Sequence, residues 1–308
     1  MANPKTDPAR FEVVKNALFA AAEEMKIVLA KTAYSPLLKV AGDYSRGIFD
    51  ANGDMVAQGP DLPIHLGSMP EAVRAVVRAF PDVAVGDVFI HNDPYHGGSH
   101  LPDVNVVAPA FHGGRLLGFG CVRAHWPDIG SASPGSYGAV TEIYGEGLRL
   151  PPIRLYRDGK PDPSIEAIIF ANVRTPAERL GDLRAQVAAT WRGTQRMVEL
   201  AAKYGTDELL QIMREVLDYS ETMMRAALRA LPDGPAVALL KPPVGPTRKL
   251  NSKGGFLVPA GSLVVLDAPG SGGFGDPAER DPAALSEDLL DGYVTSVAAR
   301  RDYGVDAA

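Results

Sequence analysis

Two apolar runs, Val104–Ala110 and Leu116–Val122, flank the dipeptide Gly113-Gly114. Glycine pairs adopt the positive-φ turns that close hairpins, so these runs predict an antiparallel strand pair. That constraint also brings together whatever lies at the far ends of the strands. His100 and Asp103 precede the first run, and His125 follows the second. A gap of 22 residues, from 103 to 125, thereby closes in space.

The surrounding sequence is rich in the same residue types. Five of the six histidines, His91, His96, His100, His112 and His125, lie in one stretch with Asp93 and Asp103, and Asp87 and Asp128 stand just outside it. Imidazole nitrogen and carboxylate oxygen are donors for divalent transition metals, and two His with one or two Asp leave a position open for water or substrate. A metal held this way acts as a Lewis acid or generates a nucleophile from water near neutral pH. The competing reading makes these histidines loop hydrogen-bonders. The His-x-x-Asp spacing is common, and no HExxH is present.

The rest of the chain reads as α+β. Asp7-Pro8 starts a helix, with Phe11, Val14, Leu18, Ala21, Met25 and Val28 on one face and an end near Thr32. Asn52-Gly53 marks a hairpin. Asp43, just before its first strand, reads as a turn former or a site residue, and His65 sits in an apolar run that suits a buried structural histidine. Glu71–Phe80 predicts a short helix and Gly86–Ile90 a strand. Residues 130–172, rich in Gly, Pro, Ser and Tyr, predict a loop with short strands beside the site.

Thr175-Pro176-Ala177-Glu178 predicts a capping box opening a long helix to about Lys203, ended by Gly205. A second helix follows to about Ala230, with Leu209, Ile212, Met213, Val216 and Met223 as its apolar stripe in core or interface, and stops at Pro232-Asp233-Gly234. The expected architecture is mixed β-hairpins and strands around a metal site, with an N-terminal helix and a long αα-hairpin. Residues 1–232 form the site domain and 233–308 a short glycine- and proline-rich segment, with a strand at Leu263–Leu266 and a weakly helical tail at Ala284–Gly304.

Several function classes are excluded. A net charge of −6 without a basic cluster argues against nucleic acid. No apolar run reaches the roughly 18–20 residues that span a bilayer, no secretory leader is visible, and a single cysteine, Cys121, fits a reducing, cytoplasmic setting. Gly270–Gly275 matches G-x-G-x-x-G, but Asp-Pro-Ala follows it rather than a helix-forming run, so a structural loop is favoured over a dinucleotide site. No P-loop and no G-x-S-x-G elbow occur. Cys121 reads as core, with a thiol nucleophile near His125 as the alternative.

The segments SPLLKVAGDYSRGIFDANGDMVAQGPDLPIHLGSMP, NDPYHGGSHLPDVNVVAPAF, AHWPDIG, NVRTPAERLGDLRAQ and APGSGGFGDPAERDP resemble the hydantoinase B/oxoprolinase family across nearly all of 8–232 and 250–304. The resemblance implies a metal-bearing subunit of an ATP-dependent amidohydrolase opening cyclic amides. It implies a divalent metal (Mn, Zn or Fe) held by His100, Asp103 and His125, with Asp43 as a further ligand. His65 and Asp128 become candidates for proton transfer or for support of the ligands. The implied partner is a hydantoinase A-type subunit in a hetero-oligomer, which binds ATP and phosphorylates the small-molecule substrate. The alternatives are a metal subunit of an acetone- or acetophenone-type carboxylase and a shortened, non-catalytic assembly protein. Trp126-Pro127 stand where the family often has a second histidine and a small residue, which bears on substrate fit. Family members are also longer, with a β-rich middle that is absent after Gly234 here.

Overall fold

The computed structural model describes residues 6–136, 140–229, 237–241, 245–249, 262–267, 280–290 and 294–305. It divides into two compact units, Met1–Asp218 and Tyr219–Ala308. The first holds the predicted site and is α+β.

Helix α1 spans Pro8–Thr32, and the Asp7 side chain accepts from the Arg10 amide at its start. A hairpin follows, β1 (Tyr44–Phe49) and β2 (Met55–Gln58), turning through Gly53 at φ 85°. Next come α2 (Pro63–Ala79), β3 (Val88–His91), and the long hairpin β4 (Asp103–His112) and β5 (Arg115–His125). Strands β6 (Ile153–Arg157) and β7 (Lys160–Pro161) complete an antiparallel sheet in the order β2-β1-β5-β4-β3-β6-β7. Helices α3 (Pro163–Ala171), α4 (Pro176–Tyr204) and α5 (Thr206–Arg229) follow.

Strand periodicity divides this sheet into two faces. Even-numbered Val104, Val106, Ala108, Val122, Ala124, Tyr44 and Ile48 join α1 and α4 in the larger apolar core. Odd-numbered Phe49, Val107, Phe119 and Cys121 join Met69, Val73 and Val76 of α2 in the smaller one. Helices thus cover both faces. Helix α4 approaches β5 so closely that a Cβ on Gly120 would lie 2.8 Å from the Thr190 carbonyl. The α5 residues Leu209, Ile212, Met213 and Val216 are buried in the larger core, whereas Met223 is exposed.

Three local expectations are corrected. The helix expected at Glu71–Phe80 starts eight residues earlier, at Pro63, and runs through Pro70. Its buried positions His65, Met69, Ala72, Val73 and Val76 show why: packing on the sheet outweighs the hydrogen bond that Pro70 cannot donate. Within 130–172, the Pro163–Ala171 stretch is helical because the Asp162 side chain accepts from the amides of Ser164 and Ile165. The Thr175 capping box does not close: Thr175 makes no side-chain cap bond, and Glu178 pairs with Arg179.

The second unit contains an antiparallel sheet in the order β10-β8-β9, formed by β8 (Val237–Lys241), β9 (Arg248–Lys249) and β10 (Leu263–Asp267). Two helices follow, α6 (Pro282–Leu290) and α7 (Ser296–Tyr303). The expected stop at 232–234 and glycine loop at 270–276 lie outside the described residues. Among the described residues, no helix is long and apolar enough to cross a membrane.

His91 ends β3 on the α2 face with its side chain fully buried and neither ring nitrogen aligned with a partner. Burial, aided by the positive charge of Arg123, pushes its pKa down to about 4. The unfolded chain therefore binds more protons than the native one between about pH 6.5 and 4, so stability falls as pH drops through that window. The full difference is roughly 3 kcal/mol. In urea titrations from pH 7 to 4, His91→Leu is expected to lose this increment of acid sensitivity. An unchanged pH slope would contradict the assignment.

Candidate metal centre

The sheet registers build the site. Asp103, the first residue of β4, pairs directly with His125, the last of β5. On the other side of β5, Tyr44 pairs with Ala124, so the chain entering β1 brings Asp43 beside His125, whose amide donates to the Asp43 carbonyl at 3.0 Å. Three neighbouring strands thus end in Asp43, His125 and Asp103. Directly opposed residues share a sheet face, which here is the one covered by α2. His100 enters from the loop before β4, where the Asp103 amide donates to the His100 carbonyl at 3.0 Å.

Donor atoms of His100, Asp103 and His125 all lie within 4.8 Å of one another. The two imidazole rings are tilted by 52° with centroids 5.1 Å apart. Asp103 is buried, and its Oδ2 accepts from Ser99 at 2.5 Å. Its Oδ1 lies 3.0 Å from His100 Nε2 and 3.4 Å from His65 Nε2, yet neither ring is aligned to donate a hydrogen bond to it. A buried carboxylate oxygen with two nitrogens at this range and no aligned donor fits a cation, and the set of two imidazoles and a carboxylate suits a borderline transition metal.

Charge at the site is consistent with this. Burial works to raise the Asp103 carboxyl, but His100, His65 and Ser99 outweigh it and hold it below the ordinary carboxylate range. Asp103 in turn raises His100, while burial lowers His125.

The other expected residues take different places. His65, in the first turn of α2, is buried, with Nδ1 3.2 Å from Ser45 Oγ and Nε2 3.8 Å from Asp43 Oδ1. It stands between the two acidic groups. Asp43 is partly exposed at the rim and is not within the tight three-residue set. Asp128 is not brought to the cluster: it accepts from the Gly130 and Arg174 amides and pairs with the Arg174 guanidinium at 3.0 Å. His96 pairs with Asp93, His112 bonds Thr206, and His91 is in the core. Burial pushes the Cys121 thiol up to about 12, which removes it as a nucleophile at neutral pH.

A solvent-open cleft of about 100 Å³ adjoins His100. Trp126, Pro127, Ile129 and Val140 give it apolar walls, and Glu146 supplies a carboxylate. Trp126 is fully buried because Gln186 of α4 accepts from its indole at 2.8 Å and donates to the Val104 carbonyl at 2.9 Å. Sequence reasoning singled out neither Gln186 nor Glu146. Gln186 does lie in NVRTPAERLGDLRAQ, where a glutamine on the sheet-facing side of a long helix is the available signal.

Comparison with known proteins follows the same lines. The family model for hydantoinase B/oxoprolinase matches residues 7–241. The β subunit of caprolactamase from Pseudomonas jessenii is 40% identical over 230 residues, covering 74% of this chain and 40% of the relative. The chain therefore spans about two fifths of that relative's length. The crystal structure of the ATP-dependent caprolactamase from Pseudomonas jessenii superimposes with a TM-score of 0.70 at 34% identity, covering 86% of this chain and 47% of the other. A nucleotide-free acetone carboxylase structure matches with a TM-score of 0.71 at 21% identity, covering 77% and 32%, a likeness of fold.

Proposed function

The chain belongs to the hydantoinase B/oxoprolinase family, and from that premise we propose that it is the metal-bearing subunit of an ATP-dependent amidohydrolase that opens cyclic amides. The observation that carries this reading is the convergence of His100, Asp103 and His125 at paired strand ends beside an open cleft. The similarity to a caprolactamase subunit supports both the substrate class and the need for a second subunit. That partner, of A type, would bind ATP and act in the cytoplasm as part of a hetero-oligomer with this chain.

In this reading His100, Asp103 and His125, with Asp43 at the rim, would hold a divalent ion. The ion, when bound, supplies Lewis-acid polarisation and lowers the pKa of a nearby water. His65 stands between the two acidic side chains as a positioning residue, 3.4 Å from Asp103 Oδ1 and 3.8 Å from Asp43 Oδ1, with its own ring fixed through Ser45. The Trp126, Ile129 and Val140 wall packs the ring's methylenes. On the partner, the γ-phosphoryl group of ATP would pass to the amide oxygen. Water would then add to that carbon, the C–N bond would break with protonation of nitrogen to leave an acyl phosphate, and a second water would cleave that acyl phosphate to the carboxylate and inorganic phosphate. The products are an amino acid, ADP and inorganic phosphate.

The test is to combine the chain with an A-type subunit, ATP and a lactam, and to follow the open-chain amino acid by mass spectrometry. Ring opening that needs both subunits, ATP and a stoichiometric transition metal is the expected result. ATP use that needs bicarbonate and a ketone would favour the carboxylase reading instead. A chain that retains no metal would overturn both.

A further inference from the structure

The cleft beside His100 carries a sign. Between residues 124 and 148, which supply Trp126, Pro127, Ile129, Val140 and Glu146 to its lining, the sequence contains no Lys or Arg, while Glu146 is acidic. Glu146 lines the cleft, half-buried, and among the described residues no lysine or arginine pairs with it; its charge acts on His100, the candidate ligand lining the same cleft. The nearby guanidinium groups are engaged elsewhere. Arg174 is bonded to Asp128 and to the Ser131 carbonyl, and Arg149 faces Asp93 and the rings of Tyr95 and Tyr144. The acidic candidates Asp43 and Asp103 balance the charge of a divalent ion, so an ion at the cluster does not reverse the sign of the wall.

Resting on the amidohydrolase reading, we infer that Glu146 is a specificity-determining residue that makes this site select neutral cyclic amides and reject rings that bear a carboxylate. An anionic substituent entering the cleft meets Glu146 with no guanidinium or ammonium to pair it. Repulsion across a partly desolvated cleft is stronger than in bulk water, and an unpaired anion also loses its hydration. A neutral lactam loses little there and gains the apolar wall. Discrimination of this kind works by repulsion of the wrong ligand rather than by added contacts to the right one.

The probes are 2-pyrrolidinone and 5-oxoproline, the same five-membered ring without and with a carboxylate. Binding to the full chain together with its A-type partner is measured by calorimetry and ligand-observed NMR, alongside ring opening. The wild type is expected to favour 2-pyrrolidinone by about tenfold or more. Glu146→Gln should narrow the ratio to within about threefold, Glu146→Lys should reverse it, and Glu142→Gln, on an exposed side chain, should leave it unchanged. Equal binding of the two rings by the wild type, or a ratio that Glu146→Gln does not move, would overturn the inference alone. Failure of the wild type to bind or open either ring would overturn the functional reading and the inference with it.

Discussion

Asp103→Ala is expected to reduce metal retention by more than about 100-fold, because even groups that only support ligands are worth roughly 10- to 100-fold in affinity. Asp103 is the residue on which the cluster converges: Ser99 donates to one carboxylate oxygen, and His100 and His65 flank the other. Elemental analysis after gel filtration reads the effect directly. The wild type should carry one transition metal per chain, the variant essentially none, and ring opening should fall to background. Linkage gives an independent signal. Metal added at a thousand times its dissociation constant should stabilise the wild type by about 4 kcal/mol and leave Asp103→Ala unmoved. His65→Ala separates holding from bracing: it should weaken retention about tenfold without abolishing it. The metal-free Asp103→Ala chain should also unfold more easily by about 1–3 kcal/mol, since Ser99 and the buried His65 lose their shared partner. Stoichiometric metal in Asp103→Ala would remove the basis of the proposed function.

The part of this site that could be read in advance is the part encoded by short-range pattern. Gly113-Gly114 between two apolar runs announces the β4–β5 hairpin, and pairing then forces Asp103 opposite His125. Both residues belong to the strands rather than flanking them, a shift that moves neither side chain to the other face. Asp43 was ambiguous for a physical reason. A carboxylate after Gly42 is what a turn uses, and only the β1–β5 register shows that this turn ends beside His125. Helix α2 was hidden by Pro63, Gly67 and Pro70, residues whose local preferences oppose a helix interior. Met69, Val73 and Val76, packed against Phe49, Val107 and Phe119, override them. That override matters for function, since it places His65 in the first helical turn, where its ring reaches Asp43 and Asp103. Glu146 had no pattern to reveal it, and Gln186 offered only a polar residue on the sheet-facing side of a long helix, because the role proposed for each depends on the absence or presence of a neighbour distant in sequence.

Gln186 is the case where such a neighbour carries the largest structural consequence. Helix α4 crosses the sheet on its even-numbered face, and most of its contact there is apolar. Polar exceptions are Thr190, whose hydroxyl donates to the Val106 carbonyl at 3.5 Å, and Gln186, whose amide accepts from the Trp126 indole and donates to the Val104 carbonyl, two residues from opposite sides of the β4–β5 pair. The side chain therefore ties the helix to both strands one step away from Asp103 and His125, and fixes the indole that walls the cleft. Gln186→Leu conserves approximate volume but leaves a buried N–H and weakens the satisfaction of a buried carbonyl. The expected cost is about 2–4 kcal/mol, from roughly 1–3 kcal/mol for each unsatisfied group with partial relaxation. Gln186→Glu keeps the acceptor for the indole and should restore its fluorescence environment, though not the bond to Val104. If the indole's position governs the cleft, Gln186→Leu will raise KM for a lactam several-fold more than it lowers kcat, with metal content unchanged. Equal losses in kcat and metal would instead mean that the helix positions the strand ends themselves, and that the cleft wall and the metal centre move as one piece.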